Sequence, residues 1–259
     1  MTSNPYAAPK AAVADAVVAP QGNFVPGGHG VPAGHGWDWV VAGWEMFKKQ
    51  PGTWIGLVVV AAIIMIVLSF IPFIGPLALT VLWPVFAGGV LLGCRALDEG
   101  GALEIGHLFA GFRARFGTLA AVGAIYLAVY ITVIVVVGLI TGVGMAAMLG
   151  GDPGAGATTG ALMTFLLALL IVAALMIPMA MTVWFAPALV TFHERDAVAA
   201  MKESFSGCLK NIVPFLLYGV VFFIAGIVAS IPLGLGWLVL GPVLVASLYT
   251  AYRDIYFTS

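Results

Sequence analysis

The sequence predicts an all-α fold, a polytopic membrane helix bundle of six spans with three amphipathic helices along one face. Three observations predict it. Of 259 residues 62% are apolar and only 8% charged, with a mean hydropathy of +1.12, whereas soluble domains carry about 25% charged residues. Six apolar runs approach the roughly 20 residues that a helix needs to cross the hydrocarbon core. Between them lie short segments whose apolar residues recur at helical spacing, opposite polar ones. A membrane β-barrel would alternate apolar and polar residues along short strands; these runs are apolar all round.

Residues 1–36, rich in Ala, Pro and Gly and without hydrophobic period, read as a disordered cytoplasmic tail. They do not read as a signal peptide, because Asp15 interrupts the apolar patch and no basic region precedes it. His29 and His35, six apart, read as solvated loop histidines, since a metal site needs three or four ligands. Residues 37–257 read as a single integral membrane domain.

Residues 37–50 form the first amphipathic segment. Trp37, Val40, Val41, Trp44 and Phe47 keep helical spacing, and Lys48 and Lys49 follow. Tryptophan favours the headgroup level, and lysine there snorkels to phosphate. Pro51 starts a new helix, and residues 53–71 make the first span. The second, 77–97, ends at Arg95, Asp98 and Glu99. Residues 103–116 follow as a second amphipathic helix lying in the interface, with Ile105, Leu108, Phe109, Phe112 and Phe116 on one stripe and Glu104, His107, Arg113 and Arg115 mostly off it. The third span is 117–140, and 141–160 reads as a Gly- and Ala-rich loop. Residues 161–192 are too long for a straight fourth span, and Pro178 and Pro187 are expected to kink or end it. Residues 198–212 form the third amphipathic helix, with stripe Val198, Met201, Phe205, Cys208, Leu209 and Ile212. Spans five and six are 213–231 and 237–252.

All ten basic residues fall on one side of this six-span arrangement. The positive-inside rule then places that side, with both termini, in the cytoplasm. Cys94 and Cys208 lie near that face and read as inert small apolar residues.

An internal repeat is visible. Phe109, Gly111, Gly123 and Tyr126 recur 96 residues later as Phe205, Gly207, Gly219 and Phe222, and Gly43 with Gly56 keeps nearly the same interval. Pro84 precedes Arg95 as Pro242 precedes Arg253. Three units follow, each an amphipathic segment plus a hairpin of spans: about 37–99, 100–195 and 196–257.

The span interiors hold no Asp, Glu, Lys, Arg or His, which argues against a proton-driven pump or an aspartyl intramembrane protease. Ser69, Thr80, Tyr126, Tyr130 and Thr132 read as interhelical hydrogen-bonding groups, with a passive or lipid-handling path as the other reading. Glu104, His107, His193 and Asp196 have no spacing that supports a metal or acid–base site, and no phosphate-binding loop or nucleophile elbow occurs. No cofactor is expected. The residues expected at headgroups are Trp37, Trp44, Lys48, Lys49, Arg95, Arg113, Arg115, His193, Arg195, Lys210 and Arg253. The lipid bilayer is the expected partner, with a membrane protein partner or a second copy alongside it, and a net charge of -1 implies no nucleic acid.

At V-P-A-G-H-G-W-D-W-V-V-A-G-W-E-M-F-K-K-Q-P (31–51), W-F-A-P-A-L-V-T-F-H (184–193) and Y-T-A-Y-R-D-I-Y (249–256) the chain resembles proteobacterial multi-pass inner-membrane proteins that carry a BPSS-type label. His35 stands where members often have a basic residue. More loosely, the alternation of amphipathic segments and spans is similar to the membrane domains fused to some glycerophosphodiester phosphodiesterases. The resemblance implies fold and an inner-membrane location, and brings no substrate, cofactor or catalytic residue. The functional expectation is a non-enzymatic interaction, assembly or envelope-homeostasis factor. The alternative is a lipid or small-amphiphile permease, and the lowest-ranked reading is a lipid-acting membrane enzyme using His107 or His193.

Overall fold

A computed structural model describes residues 22–149 and 155–258. The chain runs β1 (Asn23–Phe24), α1 (His35–Lys49), α2 (Pro51–Ser69), α3 (Ile74–Asp98), a 3-10 turn (Ile105–Phe109), α4 (Ala110–Ala114), α5 (Phe116–Leu149), α6 (Ala155–Trp184), α7 (Ala186–His193), α8 (Ala197–Lys210), α9 (Ile212–Ser230), α10 (Trp237–Tyr256) and β2 (Phe257–Thr258). Six stretches are long and apolar enough to cross a membrane: Pro51–Ser69, Ile74–Asp98, Phe116–Leu139, Leu162–His193, Ile212–Ser230 and Trp237–Tyr256. The fold is an all-α membrane helix bundle. With lipid on the outside every backbone group must bond internally, and helices satisfy that within each segment.

The amphipathic segments rest on the bundle only in part through their apolar stripes: Phe47, Leu108 and Cys208 are buried, and most of the rest is not. On α1 the buried residues are Gly36, Trp39, Gly43, Met46 and Phe47, while Trp37, Val41 and Trp44 of the expected stripe are exposed. On α8 the buried face is Ala197, Ala200, Ser204, Gly207 and Cys208, while Val198, Leu209 and Ile212 face outward. On α8 and at Gly43 small residues let the backbones close in, and the exposed part of each stripe faces the surroundings of the bundle.

Each segment packs along the second span of the preceding unit, and the ring closes on itself: the 3-10 turn and α4 on α3, α8 on α6, and α1 on α10. Gly111 lies so close to α3 that a Cβ there would overlap the Val85 carbonyl, and at Gly43 it would crowd the backbone of Val243 and Ser247 on α10. In the α8 junction the Cys208 thiol donates to the Met181 carbonyl at 3.6 Å.

Several expectations are corrected. Residues 103–116 are not one helix lying flat. They form a 3-10 turn and one short α-turn, broken at Arg115 (φ −143°) before α5 begins. The segment is pinned at both ends, by Leu103 N–H donating to Gln50 Oε1 at 2.8 Å and by Arg115 Nη2 donating to the Glu194 carbonyl at 2.9 Å. It must follow α3 and then swing into a span, which a single straight helix cannot do.

Residues 22–36 are not a tail. Asn23 and Phe24 pair antiparallel with Thr258 and Phe257, and α1 already begins at His35. The rest of the expected tail, residues 1–21, lies outside the described residues. The expected loop 141–160 is largely helix, since α5 runs to Leu149 and α6 starts at Ala155; its centre, with Asp152, lies outside the described residues.

The fourth span breaks at Phe185, before Pro187. Ser204, fully buried on α8, explains how. Its hydroxyl donates to the Met181 carbonyl at 2.6 Å and accepts from the Phe185 N–H at 2.9 Å. Those two groups would otherwise bond each other in the helical ladder, so a side chain from a neighbouring helix is inserted into it.

Candidate functional site

The chemistry of the chain collects at one end of the bundle, the basic end. Its centre is the last turns of α10, where Tyr249, Tyr252 and Tyr256 are all buried. They follow one another at helical spacing, with rings 6.3 and 5.7 Å apart. Each hydroxyl has a partner: Tyr249 donates to Asp98 at 3.1 Å, Tyr256 donates to the Glu203 carbonyl at 2.9 Å, and Tyr252 is 2.6 Å from His193 Nε2. This is how buried tyrosines keep an apolar body and a satisfied polar tip.

Residues 22–34 lie across this end as a strap. Val25 N–H donates to the Tyr256 carbonyl at 2.8 Å and His29 N–H to that of Ile255 at 2.9 Å. Lys210 Nζ donates to the carbonyls of Gly27 and Gly28 at 3.1 and 2.7 Å. Asn211, fully buried, donates to the His29 carbonyl and accepts from the Val31 N–H, both at 2.8 Å. Phe24 stacks on His193 with centroids 3.6 Å apart, and the Arg195 guanidinium lies over the Phe24 ring, 5.7 Å from its centroid. At the strap's far end Asp254 accepts from His35 Nδ1 at 2.8 Å and Trp39 Nε1 at 2.7 Å, joining α1 to α10.

The expected headgroup residues divide into two groups. Arg95 pairs with Glu99 and covers Phe192. Arg253 pairs with Asp98 and covers Phe257. Arg195 pairs with Glu203, and Arg115 reaches Glu194 at 3.7 Å. Lys49 donates to the Leu97 carbonyl, and His193 and Lys210 bind within the cap as described. These hold the basic end together. Trp37, Trp44 and Arg113 are exposed on its rim, as is Lys48, beside Glu45. Arg113 lines a shallow groove of about 630 Å³ with Glu104, His107 and Phe109.

The other candidates stay apart. The His107 ring accepts from the Glu104 N–H at 2.9 Å, closing the 3-10 turn, and Asp196 caps α8 by accepting from the Ala199 N–H. His35 binds Asp254, whereas the buried His29 Nδ1 has no hydrogen-bond partner among the described residues. Among the described residues no three metal-capable side chains converge. Ser69, Thr80 and Thr132 donate to carbonyls of their own helices and Tyr126 stacks on Tyr130, so the structure does not gather them along one path. Cys94 and Cys208 are free and buried, and burial pushes the Cys208 thiol up to about 12.

The strap, Ser204 and Asn211 were not legible as anchors. The available signals were slight: an Asn immediately before an apolar run, and a Ser on the polar side of an amphipathic pattern.

No family profile matches the chain, and no solved structure matches it. The chain is similar to a Burkholderia thailandensis protein named as a probable inner membrane protein, with 28% identity over 195 residues that cover 73% of this chain and 72% of that protein. The likeness read from the sequence holds at the level of an inner-membrane protein. Six long apolar helices and this relative together make the chain a multi-pass integral protein of the inner membrane.

Proposed function

We propose that the chain is a non-enzymatic interaction or assembly factor of the inner membrane, with both termini and the basic end in the cytoplasm. The observation that carries this reading is the fate of the charged groups. Most are paired with one another, several of them around the buried tyrosines, and the rim is amphipathic: Trp37, Trp44, Arg113 and the Lys48–Glu45 pair, with exposed Phe109 and Phe112. A pre-organised, closed cap with an aromatic and cationic rim suits the docking of another membrane protein or a second copy, because aromatic residues and arginine dominate binding hot spots.

Site-specific photocrosslinking at positions 37 and 44 in intact membranes tests it. A discrete protein adduct of constant stoichiometry is expected, and adducts with lipid alone would overturn the reading. Orientation is tested separately. Reporter fusions after Glu99 and Ser259 are expected on the cytoplasmic side and one after Gly150 on the periplasmic side; a periplasmic C-terminus would overturn the orientation.

A further inference from the structure

The shallow groove beside Arg113 is made by one face of the 3-10 turn and α4. Residues three apart line up in a 3-10 helix, and the short α-turn nearly continues the row. Glu104, His107, Ala110 and Arg113 fall on that row, and all four line the groove together with Gly106 and Phe109. The two ends are ionic, a carboxylate and a guanidinium at most roughly 16 Å apart along the segment by helical rise. Between them the side chains are small. A Cβ on Gly106 would meet nothing within 4 Å.

The polar groups of this face are not consumed by the fold. Glu104 and His107 close a capping box: the carboxylate accepts from the His107 N–H, and His107 Nδ1 accepts from the Glu104 N–H at 2.9 Å. A backbone N–H only donates, so the neutral imidazole carries its proton on Nε2. That N–H has no hydrogen-bond partner among the described residues. The ring is braced against α3, since a Cβ on Gly93 would lie 3.0 Å from the Cβ and Cγ of His107. Glu104 and Arg113 are exposed, and among the described residues neither forms an ion pair. Arg115 differs, because it is turned to Glu194. The groove therefore offers a carboxylate at one end, and an imidazole N–H and a guanidinium toward the other. Its complement carries an ammonium and a phosphate joined by a short link.

The surroundings say where such a ligand comes from. Arg113 stands three residues before the Phe116–Leu139 span, at headgroup depth. Phe109, on the groove wall, begins an exposed row with Phe112 and Phe116, whose rings follow at 6.5 and 5.6 Å. Phe86 of α3 backs the first two at 6.2 and 5.3 Å. The row leads from the polar groove into the apolar span, as the glycerol and acyl part of a lipid would.

We propose that this groove binds the headgroup of an aminophospholipid, with its ammonium on Glu104 and its phosphate on His107 Nε2–H and Arg113, and with its acyl chains along Phe109, Phe112 and Phe116. The site lies beside α3 and α5, whereas the crosslinking positions 37 and 44 lie on α1, so it stands or falls independently of the protein-partner reading.

The full chain is purified in mild detergent, stripped of lipid and titrated under native mass spectrometry with phosphatidylethanolamine or phosphatidylglycerol of matched chains. One phosphatidylethanolamine is expected to bind, about tenfold more tightly than phosphatidylglycerol. Glu104→Gln keeps an acceptor for the cap and is expected to abolish that preference. Arg113→Gln is expected to weaken both lipids about tenfold, and Gly106→Leu, which fills the hollow, to do the same. Lys48→Gln, elsewhere on the rim, is expected to change nothing. Equal binding of the two lipids by the unmodified chain overturns the proposal, as does wild-type binding by Arg113→Gln and Gly106→Leu. A loss in Lys48→Gln equal to that in Arg113→Gln overturns it in favour of diffuse attraction to the rim. Soluble phosphoethanolamine binding as tightly as the lipid overturns the assignment to a lipid, and a dimer dispersed by Gly106→Leu overturns it in favour of a second copy.

Discussion

Replacing Asn211 by alanine should release the N-terminal strap while leaving the spans in place. The side chain is fully buried between α8 and α9. It makes three hydrogen bonds of 2.8 Å, two of them to the strap at His29 and Val31 and one to the Gly207 carbonyl of its own helix. Each bond contributes roughly 1 kcal/mol net, and a polar group left buried without a partner costs roughly 1–3 kcal/mol. With water relieving the orphaned partners at this edge of the bundle, the loss of the two strap bonds comes to roughly 2–3 kcal/mol. Part of the strap remains held by Lys210 and by the pairing of Asn23 and Phe24 with the C-terminus. The opening equilibrium of residues 22–34 should therefore rise roughly 30- to 140-fold, since each 1.4 kcal/mol is a factor of ten. Hydrogen–deuterium exchange of the peptide covering those residues reads that equilibrium directly. Peptides from α2 and α9 should keep their wild-type protection. Strap exchange within a factor of three of wild type would refute the reasoning and mean that Asn211 is not the tether.

Ser204→Ala should leave the Met181 carbonyl and the Phe185 N–H without their shared hydroxyl, costing roughly 2–4 kcal/mol if the break persists; an unchanged thermal midpoint would show that the ladder simply closes. Gly111→Ala should lower the midpoint, because its Cβ overlaps the Val85 carbonyl, at a cost of roughly 1–3 kcal/mol. Gly219→Ala, placed in open space, should be neutral or stabilising by up to about 1 kcal/mol from helix propensity, and equal losses at the two glycines would contradict the unequal packing around them. The Cys208 thiol, raised to about 12 by burial, should be about one part in ten thousand thiolate at pH 8, and its reactivity should climb only as pH approaches 12. Maleimide should label it after denaturation and not before, and rapid labelling of the folded protein would refute its burial.

The repeat explains why some features were readable in advance and others were not. Gly111, Gly123, Gly207 and Gly219 recur at a fixed interval, which marks positions where a backbone could approach another helix. It cannot say which of them do. Gly123 touches α3 and Gly219 touches nothing, although the local sequences around them look alike. The candidate site divides in the same way. The list of boundary charges was legible because charges cannot sit in the apolar spans. Their partners were not, because Arg253 and Asp98 lie 155 residues apart, and His35 and Asp254 lie 219 apart.

By itself the sequence determined the six apolar helices, their approximate bounds and the basic end, because the bilayer imposes length and polarity on each segment independently of the others. It also determined that the amphipathic segments belong at that end. Tertiary structure alone decided which face of each segment the protein buries. The stripes of large apolar residues pointed to one answer, and close packing buried a different face, small residues on α8 and Gly36, Trp39, Gly43, Met46 and Phe47 on α1, because helix association in lipid depends on close backbone approach and hydrogen bonding as well as on burial of apolar surface. It also decided the strap over α10 and the hydroxyl inserted at Phe185. Each of these depends on contacts between residues distant in the chain, which no local pattern encodes.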